Sequence, residues 1–279
     1  MNQPVIKDEF FSQKLNRKKK INVILPGPSG TAESTYPVLY LLHGYGGNRD
    51  TWINNTSIVQ YAKANRLIIV LPESGRRWFI NDFEGYHYED YLTEELITYI
   101  DKTYPTIPGR DSRGIGGFSM GGAAAVFQVF RHPDLFSLAL SLSGAFEAPM
   151  REGDPYAEFR CDPGLLMPTE EIHNRTWGAP GSATRAMYDP YQIIHKWEHR
   201  HKISLYLNMG LDDYERMIKM NRNFHKALIR GNIKHQYYEF SGKHDREFIN
   251  NVLPHALHFA VENLSNKRSL PVLEETTHV

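Results

Sequence analysis

The chain has 279 residues, 41% hydrophobic and 23% charged, which suits one large α/β domain with a sizeable core. Lys+Arg and Asp+Glu both number 32, so the formal net charge is zero and nothing in the balance calls for a nucleic-acid partner. The one cysteine, Cys161, excludes an internal disulfide framework and a cysteine-rich metal site, and no apolar run is long enough for a membrane span.

Residues 1–20 are polar, lack the apolar core of a signal peptide and end in Arg17-Lys18-Lys19-Lys20, which reads as a solvated charged edge. A cytoplasmic location is therefore expected. Residues 21–25 alternate well enough for a strand that stops at Pro26. Residues 38–42, Val-Leu-Tyr-Leu-Leu, form a continuous apolar strand of the kind buried on both faces, and it runs straight into His43-Gly44-Tyr45-Gly46-Gly47. Residues 57–65 read as a helix and 67–72 as another buried strand. Between Glu73 and Asp90 lies a loop rich in aromatics, Trp78, Phe79, Phe83, Tyr86 and Tyr88. Loops at the carboxyl ends of parallel strands build ligand crevices, so these rings either meet substrate or pack onto the scaffold. Leu92, Leu96, Ile97 and Ile100 mark a helix ahead of Pro105.

The chain is organised around residues 114–125, Gly-Ile-Gly-Gly-Phe-Ser-Met-Gly-Gly-Ala-Ala-Ala. This contains G-x-S-x-G with Ser119 at its centre, an apolar lead-in and an alanine-rich helix-forming run behind it. A nucleophile elbow needs that strand, sharp turn and helix, because the serine hydroxyl must stand exposed above the sheet. The helix starting near Met120 aims backbone N–H groups at the space where an oxyanion would form.

Residues 135–142 give a further strand. From 145 to about 188 the periodicity fails among prolines and glycines, with Tyr156, Phe159, Met167 and Trp177 interspersed; in this position the segment reads as an irregular cap over the site, not a second domain. Cys161 sits within it with no base at a recognisable spacing and reads as an incidental thiol. Residues 203–209 restore the β–α rhythm, followed by Gly210-Leu211-Asp212-Asp213, an amphipathic helix, a strand over 235–240, the loop Ser241-Gly242-Lys243-His244-Asp245 and a closing helix to about 264.

A serine hydroxyl needs a base to take its proton, and the base needs an acid to hold its tautomer. Among the late histidines, His225, His255 and His258 fall within helices, His235 opens a strand and His278 lies in the tail. His244 alone occupies a loop at a strand's carboxyl end, where it can reach Ser119. Asp212 and Asp213 both follow the preceding strand; one can face the histidine and the other is expected to cap the next helix. His43 precedes the serine and reads as a positioning residue of its turn. No H-E-x-x-H or comparable cluster points to a metal, and the chemistry calls for no cofactor.

With these motifs in place the chain resembles the esterase D superfamily of α/β-hydrolases, which includes tributyrin and feruloyl-type esterases, S-formylglutathione hydrolases and the antigen 85 mycolyltransferases. The resemblance covers roughly residues 10–264 and is carried by residues 40–47, Trp52, residues 117–122, Gly210-x-x-Asp213 and Gly242-x-His244-Asp245. It implies an α/β-hydrolase fold with a mostly parallel sheet, helices on both faces and a cap insertion at about 145–188 within one domain spanning 1–279. It places the triad acid on Asp213, and the oxyanion donors on the backbone N–H groups of Tyr45 and Met120. Phe118 and Ala123-Ala124 stand where S-formylglutathione hydrolases usually carry histidine and His-Gly, which argues against a glutathione thioester.

The expectation is a serine carboxylesterase acting through an acyl-enzyme, with Ser119, His244 and Asp213 as catalytic residues. The alternatives are an acyltransferase or thioesterase with the same triad, or a binding protein on the same fold. The partner is a small-molecule ester, with no nucleic acid and no membrane; a homo-oligomer is compatible with the sequence, which specifies no interface. The cap carries Arg151, Glu152, Asp154, Glu158, Arg160 and Asp162 among its apolar residues, a charge pattern unsuited to a lipid interface. Short or aromatic acyl groups are therefore expected, with Trp78, Tyr156, Phe159 and Trp177 as candidate pocket rings; the alternative is that these rings hold the cap onto the scaffold.

Overall fold

The computed structural model describes residues 5–26, 35–152, 168–198 and 202–264. Its frame is one eight-stranded sheet: β1 (Ile6–Ser12), β2 (Arg17–Ile24), β3 (Val38–Leu42), β4 (Ile68–Leu71), β5 (Arg113–Phe118), β6 (Leu138–Leu142), β7 (Ser204–Gly210) and β8 (Gln236–Phe240). The order across the sheet is β1-β2-β4-β3-β5-β6-β7-β8. β1 and β2 form an antiparallel hairpin, β2 meets β4 antiparallel, and every other pairing is parallel.

The apolar strands are sandwiched because successive side chains point to opposite faces. Along β3, Val38, Tyr40 and Leu42 enter one core while Leu39 and Leu41 enter the other. The first core is covered by α4 (Ile97–Thr103), α5 (Met120–Arg131) and α9 (Glu215–Arg230). The second is covered by α1 (Thr51–Asn55), α2 (Ile58–Ala64) and α10 (Arg246–Asn263). Between β4 and α4 the chain makes α3 (Tyr88–Asp90) and a π-helical stretch, Tyr91–Leu96.

The polar N-terminal segment pairs as β1 with the basic run, its alternation of Ile6, Asp8 and Phe10 masked by the charges between them. That run is not wholly a solvated edge. Lys19 is buried, with its ammonium 5.0 Å from the Tyr88 ring centroid and 5.8 Å from that of Tyr91. Burial pushes its pKa down to about 8.

Within the stretch expected to be irregular, the described part contains α6 (Glu170–Trp177) and α7 (Ala183–Met187), and α8 (Pro190–His195) follows. Each has a side-chain N-cap: Thr169 accepts from Ile172 N–H, Ser182 from Arg185 N–H, and Asp189 from Tyr191 and Gln192 N–H. These helices are too short for a periodic stripe to show in sequence. They are fastened to the scaffold through the buried Glu89 carboxylate, which accepts from Tyr188 Oη at 2.6 Å, Arg131 Nη2 at 2.8 Å and His132 Nε2 at 2.8 Å. Although burial opposes the charge, these donors prevail and hold Glu89 at about 2. Tyr188 Oη in turn accepts Asn81 N–H.

Candidate active site

Six loops leave the carboxyl edge of the parallel strands, and four of them, after β3, β5, β7 and β8, carry the candidate groups. β5 ends at Phe118 and α5 begins at Met120, leaving Ser119 alone to make the turn with φ 55° and ψ −115°. An L-residue pays about 1–3 kcal/mol for such a conformation, and the surroundings must enforce it. They do: Ser119 N–H donates to Leu142 O at 2.9 Å, and Ser119 O accepts from Ala145 N–H at 3.1 Å. Strand and helix also approach so closely that a Cβ on Gly117 would lie 2.4 Å from the Gly121 carbonyl carbon. One on Gly121 would lie 2.4 Å from the Leu42 carbonyl oxygen. Those contacts are the physical content of G-x-S-x-G.

Met120 opens α5, so its N–H has no intrahelical acceptor. Across from it, β3 delivers the His43–Gly47 turn. His43 is buried; its Nδ1 donates to Gly44 O at 2.7 Å and its Nε2 accepts Ser74 N–H at 3.0 Å. Burial lowers its pKa to about 4, which keeps the ring neutral and fit for both bonds. His43 thus anchors the turn that presents Tyr45, as its place before the serine had indicated.

β7 and β8 supply the remaining groups. Asp213, with a fully buried carboxylate, accepts from His244 Nδ1 at 2.9 Å and from Tyr214 N–H at 2.7 Å. Ring contacts from Phe118 at 4.4 Å and Tyr214 at 5.8 Å fix the plane of His244. With Nδ1 committed to Asp213, Nε2 is the nitrogen left for proton transfer.

Ser119, His244, Tyr45 and Met120 all line one pocket of about 360 Å³. Its wall also includes Trp78, Phe118, Ala145, Pro168, Met217 and Met220. Trp78 and Phe79 are both in the left-handed region, at φ 57° and 54°. Gln128, fully buried on α5, donates its Nε2–H to Phe79 O at 2.9 Å and so braces this strained pair from the elbow helix. Gln128 is not legible in the sequence, because a glutamine inside a helix carries no local signal.

The candidate rings separate. Trp78 reaches the pocket, whereas Trp177 is fully buried and stacks edge-on against Trp78 at 5.1 Å. Trp177 therefore packs behind Trp78 and is not among the residues lining the pocket. Tyr156, Phe159 and Cys161 lie outside the described residues. Asp212 does not cap α9, whose start has no side-chain cap. Its carboxylate accepts Gly242 N–H at 3.2 Å, in the loop that carries His244.

Among the described residues no group of three His, Cys, Asp or Glu side chains is arranged to hold a metal ion, and no helix is long and apolar enough to cross a membrane. A model of the Esterase family matches residues 12–260. An acetyl esterase of Caldicellulosiruptor saccharolyticus is 25% identical over 262 residues, covering 90% of this chain and 96% of the relative. The substrate-bound structure of FphF, a fluorophosphonate-binding serine hydrolase of Staphylococcus aureus, superposes with a TM-score of 0.79 at 25% identity, covering 92% of this chain and 98% of that one. A ferulic acid esterase superposes with a TM-score of 0.77 at 25% identity, covering 93% and 97% of the two chains.

Proposed function

This chain belongs to the Esterase family and is a serine esterase of α/β-hydrolase fold, and from that premise we propose that Ser119, His244 and Asp213 hydrolyse small carboxylic esters through an acyl-enzyme. The observation that carries this assignment is the Asp213–His244 hydrogen bond at 2.9 Å in the pocket that Ser119 also lines. Ser119 Oγ attacks the ester carbonyl carbon while His244 Nε2 takes its proton. The carbonyl oxygen becomes an oxyanion held by the N–H groups of Tyr45 and Met120; one such donor is worth about 10²–10³ in kcat. Collapse breaks the ester bond, and the departing alcohol oxygen takes the proton from His244. Water then repeats the sequence on the acyl-enzyme. Asp213 orients His244 and stabilises its cationic form throughout.

Short or aromatic acyl groups fit this site best. The pocket is near the small end of the usual range for ligand sites, and Trp78, Met217 and Met220 offer a compact apolar wall. Stacking on Trp78 is worth about 0.5–1.5 kcal/mol beyond burial. The acetyl and ferulic acid esterases to which the chain is similar support the same two acyl classes.

Two measurements test this reading. A fluorophosphonate probe, mapped by mass spectrometry, should modify Ser119 alone; labelling that persists in Ser119→Ala sinks the assignment. Values of kcat/KM for acetyl, butyryl, feruloyl and palmitoyl esters should fall steeply at palmitoyl. A steady climb to palmitoyl would remove the compact pocket. Partitioning of the acyl-enzyme between water and an added sugar alcohol separates hydrolysis from acyl transfer.

A further inference from the structure

The pocket lining is mixed. Trp78, Met120, Ala145, Pro168, Met217 and Met220 are apolar. Thr51, Asn55, Asp245 and Arg246, from α1 and the start of α10, are polar, beside Ile249 of the same helix. These polar groups are not equally available. Thr51 Oγ1 accepts Asn48 N–H at 2.9 Å, and the Asp245 carboxylate is turned to its own helix, accepting Phe248 N–H at 2.9 Å. Asn55 and Arg246 are exposed, and among the described residues neither side chain has a hydrogen-bond or ion-pair partner. A second guanidinium, Arg216, also lines the pocket. Arg246 thus offers the pocket an exposed guanidinium with no partner among the described residues.

The position of Arg246 says which part of the substrate it meets. His244 Nε2 hands its proton to the leaving oxygen, so the leaving alcohol lies on the His244 side of the cavity. Arg246 follows His244 by two residues, which places their Cα atoms within about 7 Å of each other. A planar guanidinium binds a carboxylate through two parallel N–H bonds, and the Asn55 amide can add a third.

Resting on the esterase reading above, we propose that this enzyme selects esters whose leaving alcohol carries a carboxylate, such as a hydroxy acid or phenolic acid, held by Arg246 and Asn55. The acyl group packs against the apolar lining residues. Because Arg246 is exposed, water competes for it and the discrimination is modest, about fivefold in kcat/KM at low salt.

The test compares 4-carboxyphenyl butyrate with 4-carbamoylphenyl butyrate, which share acyl group and shape and differ in charge. Wild-type enzyme should favour the carboxylate by about fivefold, and the ratio should shrink toward one as sodium chloride is raised to about 1 M, where the Debye length is ~3 Å. Arg246→Gln should abolish the preference, and Arg246→Lys should restore part of it by returning the charge without the fork. A wild-type ratio near one, or a ratio that survives in Arg246→Gln, overturns the inference while leaving the esterase reading in place. Failure of wild-type enzyme to cleave either ester overturns both.

Discussion

Asp212 and Gly242 are joined twice: the Asp212 carboxylate accepts Gly242 N–H at 3.2 Å, and Asp212 N–H donates to Gly242 O at 3.0 Å. This pair ties the loop after β7 to the loop after β8, so the acid next to Asp213 holds the segment carrying His244. Adjacent aspartates therefore act on the same histidine, one by direct contact and one through its backbone.

The two should be separable by kinetics. Asp213→Asn leaves the His244 ring with the wrong tautomer, and kcat should fall on the order of 10⁴-fold. Asp212→Ala releases the loop; a misplacement of about 1 Å costs up to about 10²-fold, carried in kcat more than in KM. Asp212→Asn keeps an acceptor and should recover most of that loss. Steady-state constants for the three variants decide the matter. A larger drop in kcat for Asp212→Asn than for Asp213→Asn would reverse the assignment.

At the elbow, Gly117→Ala and Gly121→Ala force a methyl group against backbone, not against a side chain that can swing away. Overpacking of this kind costs about 1–3 kcal/mol, and here the turn holding Ser119 must absorb it. Both variants should melt at lower temperature and lose fluorophosphonate labelling. Full labelling at wild-type stability would contradict the contacts.

The strained Trp78–Phe79 pair gives a third expectation. Gln128→Met preserves volume but leaves the Phe79 carbonyl without the Gln128 donor, at a cost of about 1–3 kcal/mol. Stability should fall, and KM for aromatic acyl esters should rise more than KM for acetyl esters, because Trp78 forms the wall. Equal changes in the two would separate Gln128 from the pocket.

The fourth concerns acid. Burial lowers the pKa of His43 from the ordinary 6.5 to about 4. Between those values the unfolded chain binds a proton that the folded one refuses, so stability is full above pH 6.5 and declines as pH falls toward 4. The shift corresponds to about 3 kcal/mol. His173, lowered to about 4 by burial and by the charges of Arg185, Arg216 and Arg151, acts in the same sense. Glu89 acts in the same sense at lower pH, because its folded-state pKa is also depressed. Its pKa falls from 4.5 to about 2, so its contribution is present above pH 4.5 and disappears as pH falls through 2. Urea midpoints from pH 7.5 to 3.5 should show this decline, and His43→Asn should flatten the slope between pH 6.5 and 4. An unchanged slope in that variant would remove His43 as the cause.

Much of the machinery was legible because it is written in contiguous residues. A turn requiring Gly117 and Gly121 on either side of Ser119, or His43 at a strand's end before Gly44, Gly46 and Gly47, expresses local steric demands that survive as a spacing. Elsewhere the strand and helix periods were clear for long apolar runs and failed for short elements. β1 hides its alternation among charges, and α6 and α7 are single-sided helices of eight and five residues.

The sequence by itself determined the elbow, the order of serine, acid and histidine, and the sandwiched parallel strands, because each depends on backbone conformation within a few residues. Only the tertiary structure decided what lies between elements far apart in the chain. Trp78 and Trp177 read alike as aromatic loop residues, yet one lines the pocket and the other is buried behind it. Asp212 read as a helix cap and is instead bonded to a residue 30 positions away. Lys19 read as solvated and is enclosed by Tyr88 and Tyr91. In each case the outcome is set by which surfaces the sheet order brings together, and burial, unlike spacing, is a property of both partners at once.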